Sequence, residues 1–367
     1  MNNEGPIIHP AFRLNGIQYS IEALIDVAYS LIKEGEPFEQ QMGDFLLDWL
    51  LDKDTILVTT SGSTGIPKRV FLKKEHMANS ARASGEFLNL KEGDTSLLCL
   101  PAGYIAGKMM LVRAMVLGLE IDFEEPASDP LWRSLKSYDF VAMVPMQVQN
   151  SLSKLDRIGT LLVGGAPVSD SLRASLETTN CQVFESYGMT ETCSHVALRQ
   201  LNHLATTEAD KGNPFKALPG ISFSKDERGC LVIEAPDICQ TEQVTNDLVE
   251  LINEHEFQWL GRYDLIVNSG GVKLIPEQIE EKLKAAIAEP FILTGIPDEK
   301  LGHALTLVLE AEEVPGNIEE RLGSVTGLEK YEHPKRIVNL SHFPLTENGK
   351  IKRGEVLRQV LSTLTSE

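Results

Sequence analysis

The sequence predicts an α/β fold in which a large N-terminal α/β domain with a β-rich subdomain precedes a small C-terminal α+β domain. From about residue 55 to 185, short apolar runs alternate with amphipathic stretches, which is typical of a largely parallel sheet with helices. From about 215 to 260 the pattern becomes rich in β-formers and turn residues. Because 367 residues exceed what one hydrophobic core usually supports, we expect two domains, at 1–263 and 264–367.

The individual elements can be placed in chain order. The predicted strands of the N-terminal domain are Ile56–Thr59, Ser96–Leu100, Leu119–Phe123, Phe140–Val144, Thr160–Val163 and Gln182–Phe184. Helical patterns between them cover Lys74–Phe87, Gly107–Leu117 and Ser169–Glu177. The predicted elements of the C-terminal domain are a helix at Ile275–Ala286, strands at Phe291–Thr294 and Ala304–Glu310, a further helix and strand, and a last helix at Lys352–Leu361.

Composition excludes several classes of partner. The chain carries 34 basic and 53 acidic residues, a net charge of −19, which disfavours a nucleic acid or an anionic membrane. No apolar run approaches the ~20 residues that span a bilayer, and the first residues do not resemble a signal peptide. Five scattered cysteines without CxxC spacing indicate neither a disulfide framework nor a zinc site. We therefore expect a cytoplasmic protein without membrane insertion, and we find no signal for an oligomeric state.

The strongest local motif follows the first predicted strand and runs from Thr59 to Lys68. It combines glycines, which let backbone N–H groups approach an anion, with hydroxyl donors and one lysine. It is not a Walker A loop, because Pro67 separates Gly65 from Lys68. A Ser/Gly surface turn is the alternative. The residues predicted to bind phosphate are Thr60, Ser61, Gly62, Ser63, Thr64, Gly65 and Lys68.

A second pair of segments lies at the ends of two later strands, where open α/β sheets bind ligands. The segment Ser186–Thr192 offers an aromatic ring for a purine, a Thr190 hydroxyl for a phosphate, and the Glu191 carboxylate for Mg²⁺. Gly164, Gly165 and Ala166 supply small residues, as a flat wall beside a base requires. Each segment alone also fits an ordinary loop or tight turn.

Two further motifs lie nearer the C-terminus. Gly261–Asp264 precedes a strand, and Gly270 and Gly271 follow it, where they also fit a simple hairpin turn. Near the end, Asn348 and Gly349 form a strong turn signal that would hold Lys350 at its tip. A solvated lysine is the alternative there.

Four of these segments, in chain order, resemble the adenylate-forming superfamily of acyl-CoA synthetases, peptide-synthetase adenylation domains and luciferases: Thr59–Lys68, Tyr187–Glu191, Gly261–Asp264 and Gly349-Lys350. The sequence departs from that pattern in three respects. Arg69 follows Lys68 where the family usually has glycine, and Thr245-Asn246-Asp247 replaces the ribose-binding Thr-Gly-Asp. The phosphate loop also begins only about 60 residues from the start, so we expect a truncated N-terminal domain.

The resemblance implies an enzyme that uses ATP, Mg²⁺ and coenzyme A to activate a small carboxylic acid as its acyl-AMP. Lys350, Glu191 and Thr190 are the implied catalytic residues, and Glu191 is the metal ligand. A mobile C-terminal domain is implied to rotate about Asp264 between the two half-reactions. The implied ATP- and AMP-binding residues, besides the phosphate loop, are Gly164, Gly165, Ala166, Ser186, Tyr187, Gly188, Met189, Asp247 and Arg262. Gly270 and Gly271 are implied to line the CoA tunnel.

Within the superfamily, the segment at 188–195 and the truncation most resemble the short o-succinylbenzoate–CoA ligases of menaquinone biosynthesis. Their substrate keeps a free ring carboxylate, which needs a cation or several donors. The residues expected to contact the acid are Tyr104, Lys108, Arg113 and Ser194. Lys108 and Arg113 need not share a helix face, and a solvated face is the alternative for both. A ligase for another aryl or aliphatic acid, an adenylation enzyme that loads a carrier protein, and a nucleotide sensor remain alternative functions.

Overall fold

The computed structural model describes residues 7–60, 68–204, 213–346 and 351–364. The chain divides into two compact units. Unit 1 comprises residues 1–223, 233–243 and 253–257, and unit 2 comprises residues 224–232, 244–252 and 258–367. This division follows contacts between segments, and the domain boundary at residue 264 stays a prediction.

Helices and strands are both numerous in the described part of the chain. The helices are α1 Ile21–Glu34, α2 Pro37–Leu50, α3 Lys74–Leu88, α4 Ile105–Leu117, α5 Pro145–Ser151, α6 Asp170–Leu176, α7 Pro276–Leu283, α8 Ile318–Gly323 and α9 Arg353–Leu364. Short 3-10 helices are Leu152–Arg157, Thr190–Thr192 and Tyr263–Leu265. The strands of the first half are β1 Arg13–Leu14, β2 Thr55–Thr60, β3 Lys68–Lys73, β4 Thr95–Leu98, β5 Glu120–Phe123, β6 Tyr138–Met143, β7 Ile158–Val163, β8 Gln182–Gly188 and β9 His195–Gln200. The later strands are β10 Phe215–Ala217, β11 Ser222–Lys225, β12 Cys230–Glu234, β13 Gln243–Asn253, β14 Glu256–Arg262, β15 Val267–Ser269, β16 Val272–Leu274, β17 Phe291–Asp298, β18 Gly302–Glu310 and β19 Arg336–Leu340.

The main sheet of unit 1 confirms the predicted α/β class. Its strands follow the order β1-β5-β4-β6-β7-β8, all parallel, and then β9 and β10, which are antiparallel to their neighbours. Side chains of β4, β6, β7 and β8 pack with α5 and α6 into one apolar core that includes Leu97, Val141, Leu161 and Val183. Parallel strands end at the same edge of a sheet, so the loops after β4, β7 and β8 meet there.

The first predicted strand, Ile56–Thr59, is not part of the main sheet. β2 pairs antiparallel with β3 in a separate two-stranded sheet, from Thr55 opposite Lys73 to Thr60 opposite Lys68. The seven intervening residues, 61–67, are too few for the crossover of a dozen or more residues that a parallel pair needs, so the chain returns as a hairpin.

Helix α4 is the helix most relevant to the site. Every residue from 107 to 116 is buried, which is typical of a helix enclosed on all sides. Lys108 and Arg113 are therefore buried charges, and the alternative of a solvated helix face is wrong for both.

Unit 2 contains a second sheet with the order β16-β15-β18-β17, in which β19 also pairs with β18. Helices α7 and α8 cover one apolar cluster that includes Ile279, Leu305 and Leu322, and α9 covers another through Val356 and Val360. The four strands that precede this sheet in the chain, β11 to β14, neighbour one another in the order β14-β13-β12-β11. Across the four described ranges, we find no helix with the length and apolar character to span a membrane.

Candidate functional site

The predicted phosphate loop is framed by the β2–β3 hairpin. Thr60 and Lys68 form the pair next to the connecting segment 61–67, and Lys68 is exposed. The side chain of Thr60 and the residues Ser61, Gly62, Ser63, Thr64 and Gly65 lie outside the described residues. Their contacts with phosphate therefore stay predictions, but their two anchoring strands are placed.

The ends of β7 and β8 approach each other very closely. A Cβ atom on Gly164 would lie 2.3 Å from Oγ of Ser186, so a larger residue there would require the Ser186 hydroxyl to move. The Ser186 hydroxyl donates to the carbonyl of Val163 at 3.2 Å, and Gly165 has φ +84°. Gly164, Gly165 and Ala166 thus follow the end of β7, and their predicted contact with a base stays a prediction.

Strand β8 runs farther than predicted. Ser186, Tyr187 and Gly188 lie within it and not after its end, because they pair with β9. The Tyr187 ring packs against Phe257 and Phe215, with ring centroids 5.1 and 5.7 Å apart. These contacts fix the orientation of the half-buried ring.

The turn from β8 to β9 carries the predicted catalytic pair. A Cβ on Gly188 would lie 2.3 Å from the Ser194 carbonyl oxygen, so a glycine permits the tight return of the chain. Thr192 stabilises the turn, since its buried hydroxyl oxygen accepts from the Met189 N–H at 3.1 Å. Thr190 and Glu191 lie in the short helix of this turn, and both are half-buried.

Glu191 has the properties of a magnesium ligand. Its carboxylate forms no ion pair with any described residue, and the described residues contain no group of three metal-ligating side chains. Mg²⁺ is commonly held by one or two carboxylates together with substrate phosphates and water. A carboxylate without an ion pair among the described residues, in the turn after β8, fits that coordination.

A charged cluster in unit 2 contains the predicted ribose and hinge residues. The Arg262 guanidinium lies 2.9 Å from the Asp264 carboxylate and 3.6 Å from that of Asp247. Trp259, which sequence reasoning missed, donates its indole N–H to Asp247 at 3.1 Å. The structure thus brings Asp247, Arg262 and Asp264 together.

Gly270 and Gly271 form a two-residue hairpin turn between β15 and β16. Their φ angles are +60° and +85°, which favour glycine. A Cβ on Gly271 would have no neighbour within 4 Å, so only the backbone conformation requires glycine there. The hairpin interpretation is confirmed, and a contact with CoA stays a prediction.

Lys350 lies outside the described residues, but the structure describes the residues on both sides of the segment 347–350. Leu345 and Ile351 form an antiparallel bridge, and the Lys352 N–H donates to the Pro344 carbonyl at 2.8 Å. Arg353 forms a double hydrogen bond with the Glu280 carboxylate of α7, at 2.8 and 2.6 Å.

Arg113 is a buried cation without a carboxylate. Its side chain is 2% exposed and forms no ion pair within the described ranges. One terminal nitrogen, Nη2, lies 2.9 Å from Ser194 Oγ and 3.3 Å from His195 Nδ1. Its Nε has no partner among the described residues, and burial lowers the pKa of the guanidinium to about 10.

Lys108 points to a different part of unit 1. Its ammonium lies 4.9 Å from the centre of the Phe45 ring on α2, and burial lowers its pKa. Tyr104 precedes the helix at its N-cap and is 38% exposed. The two cations of α4 therefore contact different elements, as their spacing of five residues permits.

His195 is the site residue that sequence reasoning missed. It is 4% exposed, and its Nε2 lies 3.0 Å from Ser84 Oγ of α3. Burial, and then the charge of Arg113, lower the pKa of this imidazole well below its ordinary value. The residue was visible in the segment 188–195, but only the structure reveals that it contacts Arg113.

Comparison with known proteins agrees with these features. The family model described as AMP-binding enzyme matches residues 36–221. A 2-succinylbenzoate–CoA ligase of Listeria monocytogenes is 27% identical and spans 90% of this chain and 74% of its own length. An acyl-CoA synthetase (AMP-forming)/AMP-acid ligase II-like protein from Dyadobacter fermentans is 38% identical, spans 91% of this chain and 97% of its own, and has a TM-score of 0.60. An o-succinylbenzoate CoA synthetase from Bacillus subtilis, solved with its acyl-adenylate intermediate, shares the fold at 22% identity, 92% and 81% coverage and a TM-score of 0.71.

The environment of His195 predicts a pH dependence of stability. Because its pKa is lowered on folding, the unfolded chain binds more protons below about pH 6.5, and stability decreases as the pH falls through that value. The expected slope is at most about 1.4 kcal/mol per pH unit. Urea unfolding across this range should show a smaller decrease for His195→Gln than for the wild type. Identical pH profiles would contradict the prediction.

Proposed function

The chain belongs to the AMP-binding enzyme family, and we propose that it is an ATP-dependent ligase that converts o-succinylbenzoate to o-succinylbenzoyl-CoA through an acyl-AMP intermediate. This is a step of menaquinone biosynthesis. Mg²⁺ is its cofactor, and ATP, coenzyme A and the aromatic diacid are its substrates. The family assignment supports the adenylating chemistry, and the names of the curated relatives support the choice of acid.

The first half-reaction forms the mixed anhydride. An oxygen of the succinyl carboxylate attacks the α-phosphorus of ATP, the bond to the bridging oxygen breaks, and pyrophosphate leaves. Glu191 would hold Mg²⁺, and the bound ion would supply positive charge to the phosphates. Lys350 contacts the reacting carboxylate and the α-phosphate, and preorganised donors of this kind supply most of the catalysis in phosphoryl chemistry. Thr190 donates to the phosphate, and the 60–68 loop holds the β- and γ-phosphates.

Residues at the strand ends of unit 1 bind the adenine of the AMP moiety. The adenine ring stacks on Tyr187, whose orientation the neighbouring phenylalanines fix. Gly164, Gly165 and Ala166 form the opposite wall, with Ser186, Gly188 and Met189 lining the same edge. Asp247 and Arg262 bind the ribose side.

The second half-reaction transfers the acyl group. The CoA thiol attacks the acyl carbonyl, the bond to the phosphate oxygen breaks, and AMP leaves as the thioester forms. We assign Asp264 as the hinge about which the C-terminal domain rotates between the steps, and Gly270 and Gly271 to the pantetheine tunnel. Such motions often limit turnover.

One observation carries the choice of a diacid, and it is the buried Arg113. An unpaired buried cation is costly, and within the described residues its partners are neutral. A free carboxylate of the substrate supplies the missing charge. Ser194 shares this contact, and Tyr104 at the N-cap of α4 lines the acyl side, whereas Lys108 lies against Phe45 of α2.

A cytoplasmic location is consistent with the cysteines. All five are free and buried, and burial raises the pKa of Cys99, Cys181 and Cys193 to about 12, which makes them unreactive.

The role of Lys350 predicts that the half-reactions can be separated. Lys350→Ala should abolish acyl-AMP formation, measured by pyrophosphate release, because the lysine contacts only the adenylation transition state. The variant should still convert supplied acyl-AMP and CoA to thioester at a rate close to that of the wild type. Equal loss of both activities would contradict the assignment.

The proposed hinge at Asp264 predicts a variant that keeps the first half-reaction and loses the second. Asp264→Pro fixes φ and removes a backbone donor, which should hold the protein in the adenylating arrangement. Single-turnover AMP formation should survive, while thioester formation decreases strongly. Asp264→Ala, which leaves the backbone free, is the matched control and should retain both steps. If both variants lose the two steps equally, residue 264 is not the hinge.

Arg113 predicts the substrate preference. Removing the partner of a buried carboxylate costs roughly 3–5 kcal/mol, or more than about 100-fold in kcat/KM. Arg113→Ala should show this loss with o-succinylbenzoate but little loss with benzoylpropionate, the analogue that lacks the ring carboxylate. Arg113→Lys should recover part of the activity.

Lys108→Ala serves as the control for a buried cation on the same helix, and it should not discriminate between the two acids. KM for ATP should be unchanged in all three variants. If Lys108→Ala alone discriminates, the other cation binds the ring carboxylate. A wild-type enzyme that prefers the mono-acid would exclude the proposed substrate while leaving the chemistry intact.

A further inference from the structure

His195 lies between Ser84 of α3 and Arg113 of α4, and all three side chains belong to unit 1. Its Nε2 is 3.0 Å from Ser84 Oγ, and its Nδ1 is 3.3 Å from Arg113 Nη2. Ser194 Oγ is 3.2 Å from the same Nδ1. These residues form a continuous polar chain from α3 to α4 inside an apolar region.

The hydrogen-bond directions can be assigned from the donors. The Ser84 hydroxyl has one hydrogen and donates it to the carbonyl of Ser80 at 2.8 Å. Ser84 Oγ therefore accepts from His195, and the imidazole proton is on Nε2. Nδ1 then carries a lone pair, which accepts from the Arg113 guanidinium.

The contacts leave one side of the guanidinium without an oxygen partner. Nη2 is held by Ser194 and His195, whereas the one hydrogen-bond partner of Nη1 within the described residues is the sulfur of Met110, at 3.8 Å. Nε has no partner among the described residues. A guanidinium held at one nitrogen keeps its remaining donors in a fixed direction, and less side-chain entropy is then lost when an anion binds.

We propose that His195 is a positioning residue that holds Arg113 through its Nδ1 lone pair and thereby determines specificity for an acid with a second carboxylate. This inference rests on the proposed function, in which Arg113 binds the ring carboxylate. A neutral imidazole suits this role, because a protonated ring would offer no lone pair and would repel the cation.

A role limited to filling the core makes a different prediction. His195 is buried and hydrogen-bonded at both nitrogens, as an ordinary core histidine is. Loss of such a residue would lower stability and impair both acids equally. The two roles therefore differ in the selectivity between acids.

Two near-isosteric replacements separate the contacts of the ring. In His195→Asn the amide oxygen lies near the position of Nδ1 and can accept from Arg113, but the contact with Ser84 is lost. In His195→Gln the amide nitrogen lies near Nε2 and can donate to Ser84, but the acceptor at the position of Nδ1 is lost, and Arg113 keeps Ser194 Oγ alone of its two acceptors. Each variant retains one half of the polar chain.

The test compares kcat and KM of the full-length variants for o-succinylbenzoate and benzoylpropionate with saturating ATP and CoA. His195→Gln should lower kcat/KM for the diacid by about 10- to 100-fold, mostly through KM, as expected for a weakened hydrogen bond to a charged group. The same variant should have little effect on kcat/KM for the mono-acid and on the KM for ATP. His195→Asn should remain within a few-fold of the wild type for both acids.

Equal losses for the two acids in His195→Gln, or no loss for the diacid, would overturn the inference and leave the proposed function standing. A wild-type enzyme that is active with the mono-acid but not with o-succinylbenzoate would overturn the proposed function itself. If His195→Gln does not fold, Ser84→Ala replaces it, since an unanchored ring should lower diacid selectivity in the same direction. Unchanged selectivity in a folded Ser84→Ala would then overturn the inference.

Discussion

The parallel register of β4, β6, β7 and β8 is the constraint on which the site of unit 1 depends. Parallel strands must end at one edge of a sheet, so residues that are far apart in sequence meet there without any local signal. The loop before α4, the glycine wall after β7 and the turn after β8 all lie at this edge. Close packing completes the arrangement, because a Cβ on Gly188 would collide with the backbone of Ser194 and His195.

A second consequence concerns the buried cation of unit 1. Arg113 is far from solvent, and its hydrogen bonds go to neutral oxygen and nitrogen atoms. A buried arginine is normally paired with a carboxylate of the protein, and an arginine paired in this way would not need an anionic ligand. In unit 1 the hydrogen bonds of Arg113 to Ser194 and His195 offset part of the cost of burying this cation, and Ser84 of α3 holds His195 in turn.

Much of the fold and part of the site could be predicted from the sequence. Periodicity placed the strands from 96 to 184 and the helices between them, because each apolar run is buried in the main sheet. The same reasoning put Ile56–Thr59 in that sheet, although the short return at 61–67 allows only a hairpin with Lys68–Lys73. Helices α1 and α2 were not assigned at all, although Ser20 is a clear N-cap signal. Contacts such as those of His195 and Trp259 depend on tertiary packing, and no local pattern specifies them.

The charge of the chain gives the buried guanidinium a further significance. With a net charge of −19, the protein repels ATP, CoA and a dicarboxylate at long range. Surface cations would be screened by salt and offset by their acidic neighbours. A cation in a low-dielectric interior is screened far less, so one arginine can select an anion that the surface as a whole disfavours. Recognition by this protein therefore depends on where a few cations are buried and how rigidly they are held, and this is the property that His195 controls for Arg113.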